Sequence, residues 1–321
     1  MEIVETQSNP EVQFYPYGEK LPIALLDCAF SPDGAALAVS GMHSEIVAVS
    51  MSSLVDSARN FQTHAPVLTQ RLQGHGKPVT STDWLSEVSV VSCSADSTVG
   101  VFDVSTGTRV RRYRGHEGIV NCVRAVDGNL FASVGDDGWL KVWDERVGAR
   151  KGAAIALEHK FPITSLVARE AFGVGKVWFG TLDNGVFEFD VISGRAKKLA
   201  TLSDGVCGLA LNDDATALFV RTFTGQISRC SRLGEVAPLT AGKPNFRQKH
   251  LSRLAAGNFQ GVDCCVTGEE DGSVHLVTDG GSLARNFRHA AGATVGAVAL
   301  HENTLASCAS DGTLRVGNFS F

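Results

Sequence analysis

Short runs of alternating apolar and polar residues recur along the whole chain. Such runs are typical of β-strands, whose successive side chains point to opposite faces of a sheet. Two stretches with this pattern, residues 74–103 and 115–144, align without a gap at an offset of 41 residues. The pattern therefore predicts an all-β chain that is built from repeated units.

Each of these two stretches starts with Gly-His and ends with an aromatic residue followed by Asp, and an earlier Asp lies six residues before that aromatic residue. Weaker copies of this frame extend the repeat in both directions. The gaps between marker positions run from 40 to 53 residues, close to the period of about 40–45 residues found in four-stranded propeller blades. The markers predict seven units and are His43, Asp96, Asp137, Asp183, Thr224, Asp271 and Asp311.

The Gly-His, Asp and Trp-Asp frame resembles the WD-repeat family over roughly residues 11–321. This resemblance implies a single domain over residues 1–321, an all-β, seven-bladed WD-repeat β-propeller. In the family, a His, a Ser, an Asp and a Trp hydrogen-bond across each blade as a buried structural relay, with the Asp as the shared acceptor. The positions that match this relay are His75, Ser92, Asp96, His116, Ser133, Asp137, Trp143, Asp183, Asp271 and Asp311.

The relay is complete only in the third unit. In the second unit Phe102 occupies the Trp position, and a phenyl ring cannot donate a hydrogen bond. The fourth unit keeps a fragment, His159 with Asp183. We expect the incomplete units to depend on apolar packing, and we expect Asp311 to matter less than Asp137 because Gly317 stands at its Trp position.

The two ends of the repeat predict how the ring closes. The last unit reaches only its third strand by Phe321, and residues 11–17 alternate like a strand. We expect residues 1–20 to form an N-terminal arm whose strand completes the last blade, so that no sheet edge is left open. Residues 51–73 are longer than their counterparts and predict a long inter-blade loop.

Composition narrows the class of protein. The 29 Lys and Arg residues against 34 Asp and Glu give a net charge of −5, so no overall positive field attracts nucleic acid. Eight cysteines without CxxC spacing favour small buried thiols in a reducing compartment, and no disulfide, metal site or other cofactor is expected. The acidic N-terminus does not resemble a signal peptide, and no apolar stretch is long enough to predict a membrane span.

Two features resemble catalytic motifs. Residues 172–176 approximate a phosphate-binding loop, but Glu170 and Val177 stand where that loop needs Gly and Ser or Thr. Asp136 and Asp137 could form a catalytic carboxylate pair, but the repeat frame already gives Asp137 a structural role. We therefore predict that the protein is not an enzyme.

Two basic features have alternative interpretations. A run of arginines precedes Gly115, and a second basic run, Arg195 with Lys197 and Lys198, lies at the matching place after unit four. These charges could contact RNA, but charges on outer strands also discourage edge-to-edge aggregation, and we favour that interpretation. The arginines of the first run are Arg109, Arg111, Arg112 and Arg114.

Residues 143–146 match a WDxR signature. In WD-repeat adaptors of cullin-RING ubiquitin ligases, the Arg at this position docks the ligase linker. Arg146 is therefore the contact residue of an alternative function, and the competing interpretation is an ordinary turn with Arg146 in solvent.

Three aromatic residues are candidates for partner binding: Trp139, Phe161 and Phe223. They lie beside the His or Asp positions of units three, four and five, and those positions must face each other across a blade. The three loops are therefore expected on one rim of the propeller, where exposed aromatic residues favour a binding patch. The alternative is that each ring folds onto its own blade.

Further runs are similar to the branch of the family found in the spliceosomal U5 small nuclear ribonucleoprotein. The resemblance implies a non-catalytic nuclear scaffold in pre-mRNA splicing, a monomer within a larger complex that binds the particle's large central protein. Protein contacts would dominate over RNA contacts. Three classes remain open: splicing scaffold, ubiquitin-ligase adaptor and enzyme. The runs that carry the resemblance are residues 97–116, 136–146, 245–251 and 314–318.

Overall fold

The computed structural model of the protein consists almost entirely of short β-strands. The expected N-terminal arm and the expected long loop lie largely outside the described residues, apart from residues 11–13, 51–52 and 69–73. Within the described chain, no helix combines the length and apolar character that crossing a membrane requires. The structure describes residues 11–13, 23–52, 69–148, 152–168, 175–212, 214–231, 233–240, 251–259, 261–280, 283–289 and 292–318.

The N-terminal half of the chain contains strands β1 to β13. They are β1 Glu11–Gln13, β2 Leu25–Phe30, β3 Ala36–Gly41, β4 Glu45–Ser50, β5 Thr69–Gln73, β6 Val79–Ser86, β7 Ser89–Ser94, β8 Thr98–Asp103, β9 Thr108–Arg114, β10 Val120–Asp127, β11 Leu130–Gly135, β12 Trp139–Asp144 and β13 Ile155–Glu158.

The C-terminal half contains strands β14 to β28. They are β14 Ile163–Ala168, β15 Lys176–Thr181, β16 Gly185–Asp190, β17 Arg195–Thr201, β18 Val206–Leu211, β19 Ala217–Thr222, β20 Ile227–Ser231, β21 Val236–Pro238, β22 Ala255–Phe259, β23 Val262–Gly268, β24 Ser273–Thr278, β25 Leu283–Arg288, β26 Val295–His301, β27 Thr304–Ala309 and β28 Thr313–Asn318.

The strands form five four-stranded sheets and one eight-stranded sheet, instead of the seven separate sheets that seven units would give. Four of the sheets take four consecutive strands each, and the fifth has the order β1-β28-β27-β26. The eight-stranded sheet has the order β2-β3-β4-β5-β9-β8-β7-β6. Its two antiparallel halves are joined by one parallel pairing, Gln73 with Thr108, so two sets of four strands count as a single sheet.

The sheets have a propeller-like arrangement. The first strand of each set contacts the first strand of the next, in the order β2, β6, β10, β14, β18, β22 and β26, and β26 also contacts β2. Strand β1 pairs antiparallel with β28, with Glu11 opposite Arg315. The first strands therefore surround a central channel, and the later strands of each set lie farther out.

Burial along the strands follows from this arrangement. The second strands β7 and β11 are buried at almost every residue, because neighbouring sheets cover both of their faces. The outer strand β17 is mostly exposed. Apolar clusters lie between adjacent sheets: Phe131 and Trp143 pack against Val91 and Val101 of the preceding set. Packing between sheets, rather than one central core, therefore holds the elements together.

Candidate functional site

The four relay side chains of the third unit lie within hydrogen-bonding distance of each other. His116 Nδ1 is 2.9 Å from Asp137 Oδ2, and His116 Nε2 is 2.8 Å from Ser133 Oγ. Trp143 Nε1 donates to Ser133 Oγ at 2.8 Å. The serine hydroxyl, and not the aspartate, is therefore the atom that His116 and Trp143 share, which differs from the expected shared acceptor. The Ser and Trp come from the buried strands β11 and β12, and the Asp comes from the turn between them.

The second unit repeats this geometry without an indole. His75 Nδ1 lies 3.2 Å from Asp96 Oδ2, and His75 Nε2 lies 2.9 Å from Ser92 Oγ. The ring of Phe102 lies 5.7 Å from the imidazole, between centroids. Arg112, from the basic run, also donates to Asp96 Oδ2 at 3.3 Å. One arginine of that run therefore belongs to the relay of its own blade.

Burial and hydrogen bonding act in opposite directions on the relay carboxyls. Burial by itself raises the pKa of Asp137, but the hydrogen bonds from His116 and the Glu117 N–H outweigh it, so the pKa lies below its ordinary value. Asp96 behaves in the same way, with His75 and Thr98 as the main donors, and its pKa lies far below the ordinary range. Both side chains therefore remain carboxylates at neutral pH, as hydrogen-bond acceptors and not as proton donors.

The structure does not bring His159 and Asp183 together. His159 Nδ1 accepts a hydrogen bond from the Phe161 N–H at 3.2 Å, and its ring packs edge-on against Phe187, with centroids 5.1 Å apart. Asp183 Oδ1 is buried, and no described residue donates a hydrogen bond to it. The fragment expected in the fourth unit is therefore not formed.

The remaining two relay aspartates bind the backbone and hydroxyl of the residue two positions later. Asp271 Oδ1 accepts from Ser273 Oγ at 2.6 Å, and Asp311 Oδ1 accepts from Thr313 Oγ1 at 2.6 Å. In the last set, His289 is 2% exposed and connects Thr313 Oγ1 with Ser307 Oγ, at 2.6 Å each. His289 was not among the predicted relay positions, although its spacing of 22 residues before Asp311 is close to the 21 residues between His116 and Asp137.

Three backbone contacts place the candidate partner-binding residues along one rim. His159 N–H donates to Gly138 O at 2.8 Å, Leu182 N–H donates to Pro162 O at 3.0 Å, and Phe223 N–H donates to Gly205 O at 3.0 Å. Each contact joins a turn between the second and third strands of one set to a loop between two sets. Gly138 has a φ of +75°, and an added Cβ would lie 2.2 Å from the His159 carbonyl oxygen, so this turn requires glycine.

We define the rim patch as Trp139, Phe161, Leu182 and Phe223. Phe161 and Leu182 are each 39% exposed, whereas Trp139 and Phe223 are half-buried. Leu182 was missed by the sequence analysis, because a single exposed leucine in a turn has no distinguishing sequence pattern. The Lys141 ammonium lies 4.4 Å above the Trp139 ring, and the Lys160 ammonium lies 5.4 Å from the centre of the Phe161 ring.

A polar network crosses the central channel, and no sequence pattern indicated it. Asp27 accepts hydrogen bonds from Arg253 Nη1 at 2.7 Å and from Ser81 Oγ at 2.7 Å. Arg124 Nη1 donates to Ser81 Oγ at 2.8 Å. Burial by itself lowers the pKa of Arg253, but the charges of Asp27 and Asp83 outweigh it and raise the pKa above its ordinary value. The network therefore connects the first, second, third and sixth sets of strands.

A cavity of about 860 Å³ adjoins this network. Its wall includes Trp84, Arg124, Arg253 and His301, which lie on or beside first strands.

Within the described residues, no group of three His, Cys, Asp or Glu side chains is placed to hold a metal ion. All eight cysteine side chains are buried, and burial raises the pKa of Cys207 to about 11.

Most of the basic run on β9 is engaged within the molecule. Arg109 donates to the Gly74 carbonyl, and Arg111 donates to the Glu145 carbonyl. Arg114 is exposed, as are the three basic residues of the second run on β17. Arg146 lies in the turn after β12 with its side chain 66% exposed, and it donates two hydrogen bonds to the Asp144 carboxylate at 2.8 and 2.9 Å.

Two stretches of the chain, residues 66–103 and 107–144, match the family model described as WD domain, G-beta repeat. The protein therefore contains WD repeats, in an all-β, propeller-like fold. It resembles WD-repeat proteins of the splicing machinery. The pre-mRNA-splicing factor cwf17 of Schizosaccharomyces pombe is 27% identical over 57% of this chain and 48% of its own length.

The U5 small nuclear ribonucleoprotein 40 kDa protein of Dictyostelium discoideum is 28% identical over 52% of this chain and 43% of its own length. Telomerase protein component 1 of Mus musculus is 32% identical over 37% of this chain, but over only 4% of its own length. The matched region thus spans less than half of each of these relatives.

Proposed function

We propose that this protein is a non-catalytic protein-interaction scaffold in pre-mRNA splicing, a component of the U5 small nuclear ribonucleoprotein in the nucleus. Its partner is the large central protein of that particle, and it acts as a monomer within the complex. The observation that carries the proposal is the rim patch, an apolar surface on a rigid scaffold of sheets. The names of two relatives, from fission yeast and Dictyostelium, supply the splicing context.

The proposed architecture is one domain, a seven-bladed propeller closed by the N-terminal strand. The cyclic contacts among seven first strands support this count, with the eight-stranded sheet taken as two blades. The pairing of β1 with β28 supports the closure, because it covers the third strand of the last set. Closure matters for function, since it fixes the positions of the loops that carry the rim patch.

The relay residues have a structural role in this proposal. The side chains of His116 and Asp137 are mostly buried and form a hydrogen bond with each other. The same holds for His75 and Asp96. They hold the loops between blades in place and leave the rim patch to contact the partner. The same contacts argue against Asp137 as a catalytic group, since its oxygens already accept three or more hydrogen bonds from within the blade.

The test is affinity purification of the tagged full-length chain from extract of the cells that produce it. We expect splicing proteins to co-purify with the wild-type chain and to be lost from the double variant Trp139→Ala, Phe223→Ala. Large aromatic residues at an interface centre commonly contribute 2 kcal/mol or more each, and their losses are not additive when they share one surface. A circular dichroism spectrum and unfolding midpoint equal to wild type must accompany the loss.

The matched control is the triple variant Arg195→Glu, Lys197→Glu, Lys198→Glu on the exposed outer strand β17. We expect it to keep the co-purifying proteins and to change only their salt dependence. If this variant abolishes co-purification while the aromatic double variant retains it, the partner binds the blade edge, and RNA becomes the favoured partner.

The ligase-adaptor alternative is not favoured by the geometry of Arg146. Two hydrogen bonds to the Asp144 carboxylate hold the Arg146 side chain within its own turn. A cullin linker protein among the co-purified proteins, lost on Arg146→Ala, would overturn this assignment.

A further inference from the structure

The fourth unit has lost the histidine contact that satisfies the relay aspartate in units two and three. There, His75 and His116 lie 3.2 and 2.9 Å from the carboxylates of Asp96 and Asp137. In unit four, His159 bonds the Phe161 backbone instead. Asp183 is left with a buried oxygen to which no described residue donates a hydrogen bond. A buried carboxylate oxygen without a donor is unfavourable, so a donor from outside the chain would be stabilised there.

The position of Asp183 gives this carboxylate a role in recognition. It follows Leu182 directly in the turn between β15 and β16, and the Leu182 N–H is bonded to the Pro162 carbonyl, next to Phe161. Asp183 therefore lies in the same turn as Leu182, and this turn contacts the loop that carries Phe161. An approaching chain that covers Leu182 and Phe161 also passes Asp183.

The charges around the patch favour a cationic partner group at Asp183. Two lysines beside the rim patch already lie against its aromatic rings, Lys141 at Trp139 and Lys160 at Phe161. The exposed Asp136 adds a second carboxylate on the same rim, where it accepts one hydrogen bond from Asn121 at 2.8 Å. The Trp139 and Phe161 rings are therefore already paired with lysines of this chain. The buried oxygen of Asp183 is the group near the patch that still lacks a hydrogen-bond donor from a described residue.

We propose that the rim patch binds a basic and apolar segment of its protein partner, with an Arg or Lys of that segment paired to Asp183 and a neighbouring apolar side chain placed on Leu182 and Phe161. This inference rests on the proposed function, because it assigns the partner chemistry of the same patch. Arg is the better fit of the two, since its planar fork donates to both oxygens of a carboxylate.

The test measures fluorescence anisotropy of short labelled peptides with the full-length protein. The peptides carry arginine flanked by leucine and phenylalanine, and a matched set replaces arginine by the neutral isostere citrulline. We expect the wild-type protein to bind the arginine peptides about tenfold or more tightly than the citrulline peptides. The Asp183→Asn variant should bind both sets equally, at the wild-type affinity for citrulline. Glu87→Gln, an exposed carboxylate on the opposite face, should behave as wild type.

A second readout separates recognition from a structural role. Asp137→Asn should lower the unfolding midpoint because it weakens a satisfied relay, whereas Asp183→Asn should leave the midpoint unchanged or raise it. A fall in midpoint for Asp183→Asn similar to that of Asp137→Asn, or an unchanged arginine preference, contradicts the proposal. So does a wild-type protein that binds neither peptide set.

Failure of this inference is distinguishable from failure of the proposed function. If Trp139→Ala, Phe223→Ala abolishes binding of both peptide sets while Asp183→Asn keeps the arginine preference, the patch is correct and the charge assignment is wrong. If the double variant binds as wild type while Asp183→Asn loses the preference, the carboxylate contact is correct and the aromatic residues are not part of the site.

Discussion

Asp137 is the residue in which most of the third unit's polar contacts meet. It accepts hydrogen bonds from His116, from the Glu117 N–H and from the Trp139 N–H. Replacing it by Ala leaves these donors without their acceptor, and we expect a loss of about 1–3 kcal/mol in the free energy of unfolding. Chemical denaturation followed by tryptophan fluorescence measures it.

Asp311→Ala is the comparison for this prediction. Among the described residues, only Thr313 donates to Asp311, through its backbone N–H and its hydroxyl, so we expect the smaller loss there. Equal destabilisation by the two variants would show that the number of relay contacts does not determine the stability of a blade.

His289 predicts a pH dependence of stability. Burial, and secondarily the charge of Arg315, lowers the pKa of His289 from 6.5 to about 4, although Asp311 acts in the opposite direction. Between these pH values the unfolded chain takes up a proton that the folded chain does not, so stability is lost as the pH falls from 6.5 towards 4. We expect this group to contribute a loss of about 2 kcal/mol between pH 7 and pH 5.

The check is the free energy of unfolding of wild type and His289→Gln at both pH values. The variant should lose less stability on acidification than wild type. Ser307→Ala, which removes a partner hydroxyl but keeps the imidazole, should lower stability at both pH values and retain the acid sensitivity. The same acid-induced loss in wild type and His289→Gln would show that this imidazole does not remain neutral in the folded protein.

At the scale of single residues, the sequence pattern pointed to His116 and Asp137 but not to how the relay side chains connect. Gly-His and Asp recur at fixed spacing, so His116 and Asp137 were identifiable, whereas the hydroxyl shared by His116 and Trp143 depends on side-chain orientation. His159 shows the opposite case. It occupies the expected position, but its ring packs on Phe187, and among the described residues no donor reaches the buried Oδ1 of Asp183.

Between elements, a buried ion pair joins the fifth and sixth sets of strands. Arg221 on β19 donates to Glu269 at 2.8 Å and to the Gly268 carbonyl at 2.6 Å, and its side chain is 1% exposed. Arg221→Ala leaves the Glu269 carboxylate buried without this partner, and we expect a loss of about 3–5 kcal/mol. Replacing both charges, as in Arg221→Met with Glu269→Leu, should recover much of that loss.

Thermal and chemical unfolding of the single and double variants test this coupling. The matched control is the exposed pair of Lys176 and Glu188, 2.7 Å apart, for which Lys176→Ala should cost less than about 1 kcal/mol. A loss for Arg221→Ala no greater than that of the control would mean that water or local rearrangement solvates Glu269 in the variant.

Strand positions could be predicted from the sequence more completely than contacts between sheets. The marker spacing and the short apolar runs predicted strands in units two and three, although β7 and β11 are buried at almost every residue rather than on one face. Arg221 lies in an otherwise apolar strand, and its partner is 48 residues away, so no local pattern connects them. The channel network of Asp27 with Arg253 joins residues 226 apart and was missed for the same reason.

At the scale of the whole molecule, the position of the rim patch depends on the ring formed by the first strands. Contacts between first strands run in sequence from β2 to β26 and return to β2, so each set is held by two neighbours. Opening the ring at one place would remove one of these interfaces and let the loops on either side shift. If the ring closes and binds a partner as proposed, we expect changes at the chain ends to alter binding at the rim patch.

Deletion of the N-terminal strand tests whether β1 closes the ring. Residues 11–13 pair with Arg315, Leu314 and Thr313 on β28, so deleting residues 1–19 exposes the edge of that strand. We expect a loss of about 2–5 kcal/mol, comparable to one or two fully buried side chains, with self-association through the open edge. Deleting only residues 1–10 keeps β1 and is the matched control, which should retain wild-type stability. Unfolding midpoints and size-exclusion chromatography compare the two truncations. If the longer deletion melts at the wild-type temperature and stays monomeric, contacts among the first strands alone close the ring. Pairing of β1 with β28 is then not needed to hold the rim patch in place.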